Sequence, residues 1–470
     1  MAGLFDALNA GRTSLSVHQK SIEIVGNNVA NVNTEGYSRQ RAELIQIPAV
    51  NFGDFFIGQG VSVADVSRDY SSFINRQLQE SHIAYGEESG KTNALTELER
   101  LFNTSEDNLA SAIDDFFDAW QELTTNPSGQ VERDIVMQRG GLLSDAFAQM
   151  TDEMDSIVEN LNTEIIGAVE TVNEQLEEVA ELNARIQIIE VNGQTANSAR
   201  DQRDLLVQEL SQTLGVQTYT DSNGRLTVHL PGGLPLVQGD TAMRMSTVTS
   251  GSNVSLQLDV VGVTRAIDSS EIGGRFKGMF EVRDNFIGGL QDDLDTLAID
   301  LTSAVNDLHI NGYYRDPTTG TPATGQLFFT DITALPPDVH ASRSISLAFT
   351  DSRYIAAAGK DTAAPGDNEN ALLISSLETD HTVTGTNDSF DAYFSQMVAE
   401  VGIEAGRNDL ALSGAEDATV QLQNLRDGFS GVSLEEEMID LIKYQRGFES
   451  SAKFLSTVDE MMNALLQLKV

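Results

Sequence analysis

Residues 4–32 read LFDALNAGRTSLSVHQKSIEIVGNNVANV and carry the clearest periodic pattern in the chain. The intervals between its repeat positions alternate between four and three residues, which is typical of the contact face of a left-handed coiled coil. Gly11 and His18 interrupt the apolar stripe, so we expect this helix to be marginal without a partner. The repeat positions are Leu4, Leu8, Gly11, Leu15, His18, Ile22, Val25, Val29 and Val32.

The C-terminus carries a matching pattern. One heptad position is occupied by Leu434, Leu441, Phe448, Leu455 and Met462, and a second by Tyr444, Ser451, Val458 and Leu465. Ser433 and Glu436 form a plausible capping box, and the acids 435–437 suit the positive end of a helix. One such stripe alone is equally typical of a helix packed on its own domain. Two stripes, one at each terminus, predict helices that pair with each other and with copies of the chain.

The interior predicts a mainly α protein with a β insert and nested connectivity. Residues 113–123 place Ile113, Phe116, Phe117, Trp120 and Leu123 on one apolar face. A long helix is predicted from about 131 to 191, and a shorter one ends at Gly215, a suitable C′ glycine. Alternating apolar residues after 216 predict short strands.

These patterns divide the chain into five regions. We predict a terminal coiled-coil domain, mobile in the monomer, at 1–36 and 432–470; an extended or β connector at 37–91; a long-helix bundle at 92–215, 274–312 and 346–431; a small β-rich outer domain at 216–273; and an exposed loop region at 313–345.

Composition excludes several functional classes. The 470 residues include 71 acids and 29 bases, for a net charge of −42. Nucleic acids and anionic membranes are therefore poor partners, because both attract Lys and Arg. No stretch approaches the roughly 20 apolar residues that span a bilayer, and the N-terminus lacks the pattern of a cleaved secretory signal. Without cysteine, disulfides, zinc–thiolate sites and cysteine catalysis are excluded.

Motifs for chemistry are also missing from the sequence. There is no phosphate-binding glycine loop, no nucleophile elbow and no zinc-protease motif. The six histidines, His18, His82, His229, His309, His340 and His381, do not pair at metal-ligand spacing. We predict no catalytic residue, no cofactor and no metal.

The segment GNNVANVNTEGYSRQ, residues 26–40, resembles the N-terminal motif of the flagellar rod, hook and hook-associated axial proteins. Its asparagines tolerate left-handed conformations and cap backbone groups, and its glycine permits a positive φ, so a helix should end in a turn here. Four further stretches, 198–216, 275–313, 354–377 and 430–468, resemble hook-associated members more than hook or rod proteins. The family-motif residues are Asn27, Asn28, Asn31, Asn33, Gly36 and Tyr37.

The resemblance implies a structural protein, not an enzyme. Such a protein is exported unfolded through the flagellar type III apparatus, with an uncleaved N-terminal signal and an export chaperone bound to its C-terminal region. It assembles outside the cell with copies of itself, as a ring at the distal end of the hook. There it joins the hook protein to the filament through hook-associated protein 3.

The assembly interface that we predict lies on the two terminal helices. Its residues are Leu4, Leu8, Leu15, Ile22, Val25, Leu434, Leu441, Phe448, Leu455 and Met462. The alternative interpretation is an acidic coiled-coil scaffold protein without a flagellar role.

Overall fold

A computed structural model gives the fold. It describes residues 2–51, 56–102, 108–221, 224–251, 253–260, 262–336, 339–380, 383–386 and 388–467. His381 and residues 222–223, in the region of the predicted strands, lie outside the described residues.

Helices make up most of the described chain, which confirms the mainly α class with a β insert. A π-helical stretch, Glu281–Ile287, joins α6 and α7 without a break. The α-helices are α1 (Ala2–Ala30), α2 (Ser72–Phe102), α3 (Leu109–Thr125), α4 (Gln130–Val191), α5 (Asn197–Leu214), α6 (Gly274–Phe280), α7 (Gly288–Asn311), α8 (Ala341–Ser344), α9 (Glu369–Ser376), α10 (Phe390–Ser430) and α11 (Leu434–Gln467).

The strands form small antiparallel sheets. A hairpin that follows α1 pairs β1 (Gln40–Gln46) with β4 (Val61–Arg68), and β2 (Val50–Asn51) with β3 (Phe56–Ile57). The insert holds a four-stranded sheet of β5 (Gln217–Thr220), β6 (Leu226–His229), β7 (Pro235–Gln238) and β8 (Thr241–Ala242), in that order. It also holds a three-stranded sheet of β9 (Arg244–Ser250), β10 (Asn253–Val260) and β11 (Val263–Ile267), and β12 (Tyr313–Arg315) pairs with β13 (Pro322–Thr324) outside it.

The main core lies between α3, α4 and α7. The apolar face predicted on α3 is buried along its whole length. Gly215 ends α5 with a φ of +68°, as the sequence predicts. These agreements follow from the strong helical period of the apolar residues in this part of the chain.

Buried asparagines on α4 fix the β insert to the helical body. Asn173 donates to the Met245 carbonyl oxygen (3.0 Å) and accepts from the Met245 amide (2.8 Å). Asn183 donates to the Leu226 carbonyl oxygen (2.9 Å), and Asn162 accepts from the Val254 amide (3.2 Å). The three asparagines recur about every three turns of the helix, so they meet successive strand edges along one side of α4.

The connector predicted at 37–91 is wrong beyond the hairpin, because residues 72–102 form α2. Gly86 and Gly90 obscure the helical pattern of α2, because glycine is a poor helix former. Its glycines serve close packing instead. A Cβ at Gly86 would lie 1.9 Å from the Gln212 carbonyl oxygen, and one at Gly90 would lie 2.3 Å from that of Arg275.

The prediction of an exposed loop at 313–345 is also wrong in part, because several of its residues are buried. Phe328 and Phe329 are fully buried, and Ile332 and Ala341 are buried with them. The Phe328 ring meets those of Phe116 and Trp120 at centroid distances of 5.7 and 5.5 Å. The Gly-, Pro- and Thr-rich composition suggested exposure, but two adjacent phenylalanines anchor the loop in the core.

His309 lies at the centre of this aromatic cluster and is fully buried. Its Nδ1 lies within hydrogen-bond distance of the Gln326 carbonyl oxygen, and its Nε2 accepts from the Ala356 amide (3.0 Å). These partners suit the neutral ring, because a proton on Nε2 would face an amide hydrogen. Burial lowers the pKa of His309 from 6.5 to about 4.

We therefore expect His309 to make stability depend on pH. The unfolded chain takes up this proton near pH 6.5 and the folded chain only near pH 4, so the contribution is complete above 6.5. It is lost as pH falls towards 4, by up to about 3 kcal/mol. Urea unfolding of the wild type and of His309→Gln between pH 7 and 4 measures this loss.

The difference in unfolding free energy between the two proteins should shrink as pH falls. His229→Gln reports any general effect of removing a histidine. A difference that stays constant over this range would contradict the assignment.

Candidate functional site

The two ends of the chain meet as an antiparallel helix pair, α1 against α11. Ser14 Oγ lies 2.8 Å from Ser451 Oγ, and the His18 ring lies 6.3 Å from that of Tyr444. Further along α1, Asn28 contacts Glu437 at the start of α11. The pairing predicted from the sequence is therefore present within a single chain.

Glycines set the closest approaches between the two helices. A Cβ at Gly11 would lie 3.0 Å from Leu455 Cγ, and one at Gly447 would lie 2.5 Å from His18 Cε1. In the sequence, Gly11 and His18 interrupt the apolar stripe. In the structure Gly11 makes room for Leu455, and the His18 ring occupies the space above Gly447.

The contact face on α1 is rotated slightly from the predicted one. Val25 is buried as expected, but Ser21 and Asn28 are buried where the prediction has Ile22 and Val29. The remaining predicted residues of α1, Leu4, Leu8, Leu15 and Ile22, are half-buried.

On α11 the predicted face agrees better with the structure. Leu441, Phe448, Leu455 and Met462 are half-buried, and Ser451 and Val458, from the second heptad position, are buried. Leu434 differs, because its side chain is 48% exposed. The structure thus brings most predicted residues to the helix pair, while their role in assembly stays a prediction.

Asn28 joins the end of α1 to both the following strand and α11. Its Nδ2 donates to the Gln40 carbonyl oxygen and to Glu437 Oε2, each at 3.0 Å. Its Oδ1 accepts from the Gln40 amide (3.0 Å) and from the Tyr37 hydroxyl (2.9 Å). All four hydrogen-bonding positions of this buried amide are used, which stabilises one turn geometry.

The other motif residues shape the turn itself. Asn31 donates to the Asn27 carbonyl oxygen (2.9 Å), and Asn27 donates to the Tyr37 hydroxyl (3.3 Å). Gly36 has a φ of +77°, as the sequence predicts, and Asn33 is exposed. Burial, and then the charges of Asp201 and Glu437, raise the pKa of Tyr37 to about 12, so its hydroxyl remains a donor.

A buried charge cluster lies directly after the turn. Arg39 Nε donates to Glu437 Oε1 and Arg39 Nη1 to Glu436 Oε2, both at 2.6 Å. The Arg39 amide also donates to the Ser430 carbonyl oxygen (2.8 Å). Burial lowers the pKa of Arg39, but its hydrogen bonds and the charges of the two glutamates raise it above the usual value.

The cluster continues into the helical body through α5. Asp201 accepts from the Ser38 amide (3.1 Å) and from Arg68 Nη1 (2.6 Å), and Arg68 Nη2 donates to Asp204 (2.7 Å). The turn after α1 is therefore held on one side by α11 and on the other by α5.

This cluster is not predicted from the sequence. The helix dipole and a capping box with Ser433 account for the acids 435–437 there, whereas in the structure Glu436 and Glu437 pair with Arg39. The available signal was the arginine of GYSRQ, directly after the turn motif in a chain with only 29 basic residues.

Three polar atoms in and near the helix pair lack a protein partner among the described residues. They are Asp6 Oδ2, His18 Nδ1 and Ser21 Oγ, and all three are buried. A buried polar group without a partner costs about 1–3 kcal/mol. The pairing of α1 with α11 is therefore not optimised for the isolated chain.

Among the described residues, no group of three or more His, Asp or Glu side chains is arranged to hold a metal ion. Nor does any helix in the described part of the chain combine the length and apolar character needed to cross a membrane.

Comparison with known proteins first gives the class. A model of flagella basal body rod proteins matches residues 8–37, and a model of the C-terminal part of the rod FlgEFG proteins matches residues 428–468. These matches cover most of α1 with its turn, and α11. The helix pair thus defines a structural protein of the bacterial flagellum.

The family follows from the helical body. The model of the helical domain of flagellar hook-associated protein FlgK matches residues 95–329, which is half of the chain. Flagellar hook-associated protein 1 of Bacillus subtilis is 27% identical over 99% of this chain and 98% of its own length. The protein of that name in Escherichia coli is 23% identical over 98% and 99%.

A solved structure shares the fold. The flagellar hook junction protein FlgK of Burkholderia pseudomallei superposes with a TM-score of 0.64 at 17% identity, covering 77% of this chain and all of its own. The chain belongs to the flagellar hook-associated protein FlgK family, and its role is structural, at the junction of hook and filament. The comparisons give the scaffold alternative no support.

The charge cluster gives a prediction for the helix pair. Arg39→Met would leave Glu437 buried beside Asn28 without its counter-charge, and breaking such a pair costs about 3–5 kcal/mol. We expect α11 to dock more weakly or to separate from α1, and amide exchange within residues 437–458 measures this. Adding Glu437→Leu should recover part of the loss.

Arg41→Met is the matched control. The Arg41 side chain is 59% exposed and pairs with Asp69 at 3.1 Å, so its loss should cost less than about 1 kcal/mol. Equal exchange in the Arg39 and Arg41 variants would contradict the structural role of the cluster.

Proposed function

We propose that this chain assembles with copies of itself as a ring at the distal end of the hook, and that the ring joins the hook protein to the filament through hook-associated protein 3. The observation that carries the proposal is the apolar surface that remains on α11. Large apolar side chains are exposed there even though α1 covers one face of the helix. They are Leu434, Met438, Ile439, Ile442, Phe454, Met461, Leu465 and Leu466.

Exposed apolar side chains at this density mark an interaction surface, because soluble monomers rarely carry contiguous apolar patches of large size. Burial of such a surface gains about 25 cal/mol per Å². The half-buried residues of α1, including Leu15 and Ile22, extend the same surface. Neighbouring copies would cover these side chains in the assembled ring.

We also propose that the two terminal helices, α1 and α11, become ordered only on assembly. The partnerless polar atoms near the helix pair and the exposed apolar residues of α11 both weaken its docking in the monomer. The cost of ordering then opposes association of free subunits until a template supplies the remaining contacts.

We also propose a route by which the chain reaches the site of assembly. The chain is exported through the flagellar type III apparatus, with an export chaperone on its C-terminal region, and acts outside the cell. The exposed apolar residues of α11 suit a chaperone that covers them before export. We further propose that the protein has no catalytic activity.

A deletion of the gene tests the junction role. We expect bare hooks by electron microscopy and flagellin shed into the medium. Complementation with Ile439→Asp should fail to restore filaments, because a charge would enter the interface between copies. Ile439 is 66% exposed, so the single chain should still fold.

Ser456→Asp, at another exposed position of α11, is the matched control and should restore filaments. Secretion of each variant must be measured separately, because chaperone binding could fail first. Normal filaments in the deletion strain, or in the strain carrying a secreted Ile439→Asp protein, would contradict the proposal.

Amide exchange on the purified monomer tests the mobility of the ends. We expect residues 4–32 and 441–462 to exchange faster than the buried part of α4, because docking of α1 on α11 contributes less free energy than the core. Protection of residues 4–32 equal to that of α4 would show that the ends are ordered before assembly.

A further inference from the structure

A cavity of about 760 Å³ lies away from the helix pair, between α2, α5 and the edge of the β insert. Its lining includes four arginines, Arg68, Arg76, Arg200 and Arg203. This concentration of basic residues is unexpected in a chain with a net charge of −42. Two of them, Arg200 and Arg203, belong to the segment SARDQRDLL (198–206).

Two of the four arginines are neutralised within the chain. Arg68 donates to Asp201 and Asp204, at 2.6 and 2.7 Å. Arg200 donates through Nε and Nη2 to the two carboxylate oxygens of Glu190, at 2.7 and 2.9 Å. These pairs leave little attraction for a further anion.

Arg203 differs from both. It is only 4% exposed, and no described carboxylate lies within ion-pair distance of it. Its Nη1 donates to Asn183 Oδ1 (2.8 Å), whereas its buried Nε has no protein partner among the described residues. Burial is the main cause that lowers the pKa of Arg203, and the positive charges of Arg200 and Arg68 lower it further. The negative charges of Asp204 and Glu190 raise the pKa and offset part of this decrease.

A buried guanidinium without a counter-charge is costly, and acids are abundant in this chain. Arg203 nevertheless lines the cavity, with most of its side chain buried. Arg76, on the exposed side of α2, also lines the cavity and has no described carboxylate within ion-pair distance. The guanidinium group matches an oxyanion geometrically, through paired N–H donors.

We propose that this cavity binds a carboxylate ligand with an apolar body, its carboxylate held by Arg203 and Arg76. Apolar and aromatic residues, including Ile83, Val207 and Tyr219, contribute to the remainder of the lining, together with polar uncharged residues. A single negative charge fits better than a phosphate dianion, because Glu80, Glu190, Asp201 and Asp204 surround the arginines. The site is independent of the junction role.

Isothermal titration of the full chain with sodium hexanoate tests the site. We expect saturable binding at one site, weaker binding of acetate, which lacks the apolar body, and no binding of phosphate at matched ionic strength. Failure of hexanoate to bind the wild type, or tighter binding of phosphate, would overturn the proposal.

Amino-acid substitutions show whether hexanoate binds in this cavity. Arg203→Gln should lower the affinity for hexanoate by at least about tenfold, since it removes a charge-assisted hydrogen bond. Arg76→Gln and Tyr219→Ala, both at exposed positions, should lower it several-fold without affecting the fold. Arg446→Gln, an exposed arginine of α11, controls for net charge and should bind as the wild type does.

If Arg203→Gln does not fold, the affinities of the two variants at exposed positions test whether hexanoate binds in this cavity. Wild-type affinity in both Arg76→Gln and Tyr219→Ala would place hexanoate elsewhere and overturn the proposal. Loss of affinity in both, with Arg446→Gln unchanged, would support it.

Discussion

The carboxylate of Glu437 is 1% exposed at the place where the two ends of the chain meet, and its neutralisation determines how those ends are joined. A buried carboxylate is tolerated only when it is paired and hydrogen-bonded. Both partners, Asn28 and Arg39, come from the opposite end of the chain. Their positions fix the register of α11 on α1 and the direction in which the chain leaves the turn. The hairpin, α5 and the helical body then follow from that direction.

The contact face between α1 and α11 mixes small and polar residues with apolar ones, and many further apolar residues lie on the outer surface of the pair. Ser14, Ser451 and the two glycines lie in the contact face with Val25, Leu455 and Val458, whereas Leu434, Ile439 and Ile442 are exposed. Pairing of the two ends therefore leaves much of their apolar surface in contact with water. The arrangement is suited to a protein whose apolar surface is covered by other subunits.

The sequence predicts best where apolar residues repeat at a regular interval. The face of α3 and the length of α4 follow from periodicity and are found as predicted. The heptads of α11 are found in part, because Leu434 and Leu465 are exposed. Prediction from the sequence fails where a residue contributes through contact with a part of the backbone that is distant in the chain. Gly86 and Gly90 weaken the helical pattern of α2, yet they allow backbones 120 residues or more away to approach. Phe328 and Phe329 belong to a short apolar run, 327–329, that is too short to show a period. The pairing of Arg39 with Glu437 joins positions about 400 residues apart, and its one local signal is an arginine directly after the turn motif.

The asparagines of α4 have a mechanical consequence. A helix of 62 residues is about 90 Å long, and the insert is attached to it at Asn162, Asn173 and Asn183, over roughly 30 Å of that length. Attachment along a line resists rotation of the insert far better than attachment at one point. A force applied to the insert from the surrounding liquid is therefore shared among several hydrogen bonds loaded in parallel. Any torque on the insert would therefore pass to α4 along this line of attachment.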